Sequence, residues 1–97
     1  MTTQLMTQKM VDYFKTQPVV KAWLFGSFAR GEERADSDVD ILISLVPGTR
    51  LGLKFFRMNL ELEELLGRPV DLVIEGDLIP YAEKTANRDK VLVYARA

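Results

Sequence analysis

Residues 26–40 read GSFARGEERADSDVD, and this stretch decides the fold because it joins two apolar segments of strand length. One apolar run, residues 19–25, ends where the stretch begins, and the other, residues 39–45, starts inside it. Short apolar runs bounded by glycine and polar residues are typical of buried strands. We therefore expect a strand at 19–25, a sharp turn at Gly26 and Ser27, and a second strand at 39–45.

The turn at Gly26 and Ser27 is a candidate phosphate site. A chain that leaves a buried strand and turns sharply presents free backbone N–H groups beside a hydroxyl, and such groups bind phosphate oxygens. Ser27 can also be the N-cap of a helical turn at residues 28–31. The two roles are compatible.

Asp38 and Asp40 lie two residues apart at the start of the second strand. The two-residue period of a strand points both carboxylates to the same face. Hard oxygen ligands placed side by side suit Mg²⁺. Clustered carboxylates without a cation repel by roughly 1 kcal/mol per pair at about 4 Å in water, and more in a drier cleft. The pair therefore predicts a bound cation.

A third carboxylate, Asp71, is flanked by Val70 and Leu72 in a short apolar run. By the same two-residue period it points away from the face that those neighbours bury. Asp71 is either a further metal ligand or a residue on the solvated face of a sheet. The residues around it leave both interpretations open.

The bulk composition limits the possible chemistry. The chain has 97 residues, a net charge of −1 and neither cysteine nor histidine. We expect a single domain at 1–97, without thiol nucleophiles, disulfides, the usual zinc sites or imidazole catalysis. The nearly neutral charge gives no indication of broad attraction to nucleic acid. No apolar run approaches the roughly 20 residues of a membrane span, so we expect a cytoplasmic protein.

Periodicity supplies the remaining elements. The predicted helices are 4–16, 51–66 and 80–87; the further strands are 70–74 and 91–94; and 32–37 is a polar loop. This order predicts an α/β (α+β) fold with a small mixed four-stranded sheet and helices mainly on one face. Trp23 is expected in the core rather than stacked on a base. Arg50, Lys54 and Arg57 share a helix face, which is either solvated or a contact for an acceptor or partner.

The segments GSFARGEERADSDVDI and VDLVI together resemble the minimal nucleotidyltransferases of the DNA polymerase β-like superfamily. The family pattern is Gly-Ser, ten residues, Asp-x-Asp and a further aspartate on a later strand, and this chain matches it throughout. The neighbouring Arg30, Gly31 and Ser37 also fit. The resemblance implies the family's fold over nearly the whole chain, two Mg²⁺ ions and a nucleoside triphosphate donor. The implied reaction transfers a nucleoside monophosphate to a hydroxyl.

The resemblance also implies roles for individual residues. Gly26 and Ser27 would hold the β and γ phosphates of the donor. Asp38 and Asp40 would bridge both metal ions, and Asp71 would complete the metal site on the acceptor side.

The loop between the two motifs is less specific. Arg30 would either stabilise charge on the triphosphate or form a surface ion pair with Glu32 or Glu33, worth about 0–1 kcal/mol. Asp36 and Ser37 are expected to shape the loop.

The small size of the chain implies a partner. The smallest members of this family are commonly the antitoxin of a pair with a helical HEPN toxin, which implies transfer of AMP from ATP to a toxin tyrosine. Two alternatives stay open. The fold could block a partner by contact without catalysis, or a second subunit could allow transfer to an antibiotic or RNA. An intact set of three aspartates favours the enzyme.

Overall fold

The computed structural model describes residues 3–26, 31, 38–75 and 90–96. Six elements follow one another there: α1 (Thr3–Phe14), β1 (Val19–Phe25), β2 (Val39–Leu45), α2 (Lys54–Leu66), β3 (Val70–Ile74) and β4 (Val91–Ala95). The predicted order is confirmed for these six. The predicted loop at 32–37 and helix at 80–87 lie outside the described residues, as does the turn at 28–31 apart from Gly31.

The predicted strands agree with the structure, with β4 one residue longer, but both predicted helices were too long. Helix α1 ends at Phe14 rather than residue 16, because the N–H groups of Thr16 and Gln17 donate to carbonyls only three residues back. Helix α2 begins at Lys54 rather than residue 51, because Gly52 has a φ of 56°, outside the right-handed helical region.

The four strands form one sheet in the order β3-β2-β1-β4. Strand β1 is antiparallel to both β2 and β4, while β2 and β3 are parallel. A parallel pair needs a crossover connection, and α2 supplies it between β2 and β3. The mixed four-stranded sheet predicted from the sequence is therefore confirmed.

One face of the sheet packs against both helices. In β2, Val39, Ile41 and Ile43 are fully buried in this core, where they join Met10 of α1 and Leu62 of α2. Alternate residues point to the opposite face, as the pleat requires. The helices therefore cover one face, as predicted, and no helix in the described ranges is long and apolar enough to cross a membrane.

The opposite face of the sheet carries a second buried patch. Trp23 is 9% exposed and lies beside Leu42 in the β1–β2 register, outside the main core cluster. The ammonium of Lys90 lies 4.3 Å from the centroid of the Trp23 ring, in cation–π geometry. Trp23 is thus buried, as expected, but it packs on the face away from the helices.

The two helices enclose a small groove of about 340 Å³ lined by Tyr13, Glu61, Glu64 and Leu65. The Tyr13 hydroxyl is buried and has no hydrogen-bond partner among the described residues. Burial, followed by the nearby charge of Glu61, raises the pKa of Tyr13 from 10.0 to about 12.

Met10 tests the main core. Replacing this fully buried side chain by alanine leaves a cavity, so Met10→Ala should lower the free energy of unfolding by about 2–5 kcal/mol in urea titrations. Leu5→Ala on the same helix is the control, because Leu5 is 49% exposed and its loss should cost less than about 1 kcal/mol. Equal losses for the two variants would contradict the packing described above.

Tyr13 should make the fold sensitive to strong alkali. Because the folded pKa is raised above the unfolded one, the contribution of Tyr13 to stability is complete below pH 10 and is lost as the pH rises towards about 12. Tyr13→Phe should therefore lose less stability than the wild type across that window in thermal unfolding. In an ultraviolet titration, Glu61→Gln should lower the pKa of Tyr13; an unchanged midpoint would exclude the Glu61 charge as a cause.

Candidate active site

Gly26, in the turn after β1, lies against Asp40 of β2. Gly26 follows the last residue of β1, has a φ of 73°, and Phe25 beside it is the register partner of Asp40. A Cβ built on Gly26 would lie 3.2 Å from Cγ of Asp40 and closer still to Oδ2, so a side chain there would displace the Asp40 carboxylate. The positive φ favours glycine at this position, and the absence of a Cβ leaves room for that carboxylate.

Asp40 and Asp71 are direct neighbours across the parallel pair β2–β3. Both point away from the helix-covered face, with Asp40 half-buried and Asp71 exposed. Neighbouring strands lie about 4.8 Å apart, so the two carboxylates start from backbone positions at that spacing. Asp38 is exposed and lies immediately before β2, two residues ahead of Asp40.

These placements give a row across three adjacent strands. The sheet order sets β2 between β1 and β3, so Asp40 stands between Gly26 on one side and Asp71 on the other. Gly26 and Asp71 are 45 positions apart in the sequence, yet strand pairing places both beside Asp40. The row has a turn at one end and an exposed carboxylate at the other.

The donor chemistry of this row suits a cation. Carboxylate oxygens on one face are ligands that Mg²⁺ prefers, and Gly26 leaves the Asp40 carboxylate unobstructed from the β1 side. Within residues 3–26, 31, 38–75 and 90–96, however, no group of three or more acidic, histidine or cysteine side chains is arranged to hold a metal ion. The structure thus brings together Gly26, Asp40 and Asp71 without forming a three-ligand set that includes Asp38.

Two residues of the predicted phosphate site, Ser27 and Arg30, lie outside the described residues, as do Asp36 and Ser37. Their roles stay predictions.

Two side chains of α2 that the sequence analysis did not single out hold the strand that carries Asp71. The Asn59 Oδ1 atom accepts the N–H of Leu72 at 3.1 Å, and Glu63 Oε2 accepts the N–H of Val70 at 3.0 Å. Strand β3 is at the edge of the described sheet, where such N–H groups lack a strand partner. The four-residue interval between Asn59 and Glu63 was the available signal, because it places them on one helix face.

Comparison with known proteins decides the family. A family model described as "Nucleotidyltransferase domain" matches residues 7–95. The chain belongs to this nucleotidyltransferase family. The minimal-nucleotidyltransferase resemblance drawn from the two motifs is thereby confirmed, and the chain is a nucleotidyltransferase enzyme.

The chain is similar to a named protein adenylyltransferase and to several solved structures. It is 46% identical to the protein adenylyltransferase MntA of Thermococcus cleftensis over 70 residues, which span 72% of this chain and 70% of that protein. A solved chain assigned as a minimal nucleotidyltransferase is 35% identical, with a TM-score of 0.76 and coverage of 91% of this chain and 89% of that one.

A more distant structure shares the fold. A crystal structure of a toxin-antitoxin with AMP-PNP matches with a TM-score of 0.81 at 18% identity, covering 93% of this chain and 73% of that chain. At this identity the match shows the fold alone.

Gly26 tests the geometry of the row. Gly26→Ala should reduce stability through its positive φ and, in addition, displace the Asp40 carboxylate, which should weaken the thermal shift produced by ATP with Mg²⁺. The matched control is Gly48→Ala, because Gly48 has a φ of 85° but no atom within 4 Å of a built Cβ. That control should lose about 1–2 kcal/mol of stability and keep the full ligand shift. Equal ligand shifts in the two variants would contradict the contact with Asp40.

Proposed function

We propose that this nucleotidyltransferase moves AMP from ATP to a hydroxyl of a partner protein, in a reaction that depends on Mg²⁺. The observation that carries the proposal is the row of Gly26, Asp40 and Asp71 across β1, β2 and β3. The identity to a named protein adenylyltransferase over most of the chain supports AMP as the transferred group and protein as the acceptor.

The two ends of the row suggest different roles, with the triphosphate bound at one end and the acceptor at the other. The triphosphate would lie beside Gly26 and Ser27, where the turn leaves backbone N–H groups for its oxygens. Asp38, Asp40 and Asp71 would hold the cations, which when bound neutralise phosphate charge and activate the acceptor hydroxyl. Asp71 is the exposed member, so the acceptor would approach from the β3 side.

An AMP transfer balances without any further reactant. The acceptor oxygen forms a new bond to the α-phosphorus of ATP, and the bond from that phosphorus to the bridging oxygen of pyrophosphate breaks. The acceptor proton leaves towards a carboxylate or water, and Asp71 is the carboxylate placed on that side. The work of the chain is to bind and orient the two substrates.

We further propose that the partner is a HEPN-type helical protein and that this chain is its antitoxin. The fold is shared with an MNT antitoxin solved in complex with a tri-AMPylated HEPN toxin of Shewanella oneidensis, with a TM-score of 0.76. Among the described residues, the Asp71 end of the row is exposed and nothing covers an acceptor there. A second polypeptide that covers the Asp71 side would complete the cleft.

The test is label transfer with single carboxylates removed. The chain is incubated with α-labelled ATP, Mg²⁺ and the candidate partner, which is the protein encoded by the gene next to the one for this chain. Label on that neighbouring gene product is then measured. Asp40→Asn and Asp71→Asn should each reduce labelling by at least about 100-fold, since each removes a charged ligand beside the reacting groups. Asp12→Asn is the control, because Asp12 is an exposed carboxylate on α1 that bonds only Gln8 among the described hydrogen bonds.

Each contrary outcome has a distinct meaning. Label that persists in Asp71→Asn would remove this residue from the reaction. Tight binding of the partner without label, while ATP demonstrably binds, would favour inhibition by contact alone. Label on RNA or an added antibiotic instead of the protein would favour the third alternative.

A further inference from the structure

The outward side of α2 carries an apolar stripe, which we define as Leu53, Phe56 and Leu60. These side chains are 84%, 63% and 61% exposed. Their intervals of three and four residues place them on one side of the helix, opposite the buried Met58 and Leu62. Single exposed apolar residues are ordinary on protein surfaces, whereas a continuous row on one helix face indicates an interaction surface.

The first residue of the stripe departs from the usual sequence of a helix start. Leu53 is the N-cap of α2, and no side-chain hydrogen bond caps the helix there. Serine, threonine, aspartate and asparagine are preferred at this position, because their oxygens accept a free N–H of the first turn. A leucine that is 84% exposed contributes neither a cap nor core packing.

The charges of α2 oppose its own dipole. Lys54 and Arg57 lie in its first half, while Glu61 and Glu64 lie in its second half, and all four are exposed. The first turn contains no acidic residue and the last turn no basic residue. A helix favours acids at its start and bases at its end, and like charges three residues apart repel. Apart from Arg57 and Glu61, which have opposite charges four residues apart, this arrangement is unfavourable for an isolated helix.

A second copy of α2 in the antiparallel direction would compensate both the unfavourable helix dipole and the like-charge repulsion. The basic half of each helix then lies beside the acidic half of the other. Pairing Lys54 with Glu64 of the partner subunit, and Arg57 with Glu61 of the partner subunit, uses a single two-fold axis, because both pairs are centred on residue 59. Within the part of the chain that the structure describes, the side chains of Lys54, Arg57 and Glu64 make no ion pair or hydrogen bond.

We propose that two copies of this chain form a symmetric dimer through antiparallel α2 helices. Phe56 and Leu60 of the two copies meet on one side of the seam, with Leu53 at its outer end, and the four charge pairs lie on the other side. A two-fold interface must be complementary to itself, and the charge order of α2 has that property. One helix face offers less than the roughly 800 Å² per partner of a standard stable interface, so the dimer should dissociate on dilution through the micromolar range.

Sedimentation velocity of the full chain over a concentration series tests the stripe. The wild type should shift from monomer to dimer, and Phe56→Gln with Leu60→Gln should weaken the dimerisation constant at least about tenfold. Leu5→Gln is the control, since Leu5 is 49% exposed on α1 and should leave dimerisation unchanged. Circular dichroism verifies that each variant is folded. A wild type that stays monomeric at every concentration would overturn the proposal.

Charge reversal tests the antiparallel direction. One variant carries Lys54→Glu and Arg57→Glu, and a second carries Glu61→Lys and Glu64→Lys. Each alone should be monomeric at concentrations where the wild type is dimeric, and an equal mixture should restore dimers. Failure of the mixture to associate would overturn the antiparallel pairing. A different result would assign this face to the neighbouring gene product instead: the wild type would be monomeric when alone, and Phe56→Gln would lose binding to that product.

Discussion

The register of β2 between its two neighbours is the constraint on which the rest of the structure depends. Because side chains alternate along a strand, a shift of one residue would bury Asp40 under the helices and expose Ile41. The fully buried row of Val39, Ile41 and Ile43 makes that shift costly, since each side chain stabilises the fold by roughly 1.5–3 kcal/mol when buried. The packing of the core thus fixes where the carboxylates stand.

Helix α2 acts on three surfaces at once. Its inner residues Met58, Leu62 and Leu66 fill the core. Asn59 and Glu63, on its flank, accept the edge N–H groups of β3 and so hold the strand that carries Asp71. The outward stripe is exposed, and although the ring of Phe56 makes an edge contact with Phe55, the stripe fills neither the core nor the β3 flank within the described chain. This is why we propose an external occupant for it alone. A dimer through this face would leave the β3 flank free of the seam.

The sequence predicted the sheet more accurately than the helix ends. Strand bounds follow from the switch between apolar runs and glycine or polar residues, and β1, β2 and β3 match their predicted ranges. Apolar periodicity cannot show where backbone hydrogen bonds change from a four-residue to a three-residue interval, as they do after Phe14. It also cannot show that Gly52 takes a positive φ. Those features depend on how the chain enters and leaves its packed neighbours.

The candidate site was predictable to the same degree and for related reasons. The flanks of Asp71 predicted that it points away from the helices, as it does. The common face of Asp38 and Asp40 stays a prediction, because Asp38 lies immediately before β2. The contact of Gly26 with Asp40 arises from the β1–β2 register and was not readable from the spacing. The hydrogen bonds that Asn59 and Glu63 accept from β3 likewise depend on the position of α2 over the edge of that strand.

The register of β2 and β3 also bears on the two interpretations of Asp71. A residue that merely lies on the solvated face of a sheet gains nothing from standing opposite a like charge. Like charges directly opposite each other on neighbouring strands destabilise the strand pair. Asp71 nevertheless stands opposite Asp40, and Asp40 in turn abuts Gly26. Repulsion between two neighbouring carboxylates is an unfavourable term that a bound cation reduces. This repulsion is the physical basis of our proposal that Asp71 binds a cation together with Asp40.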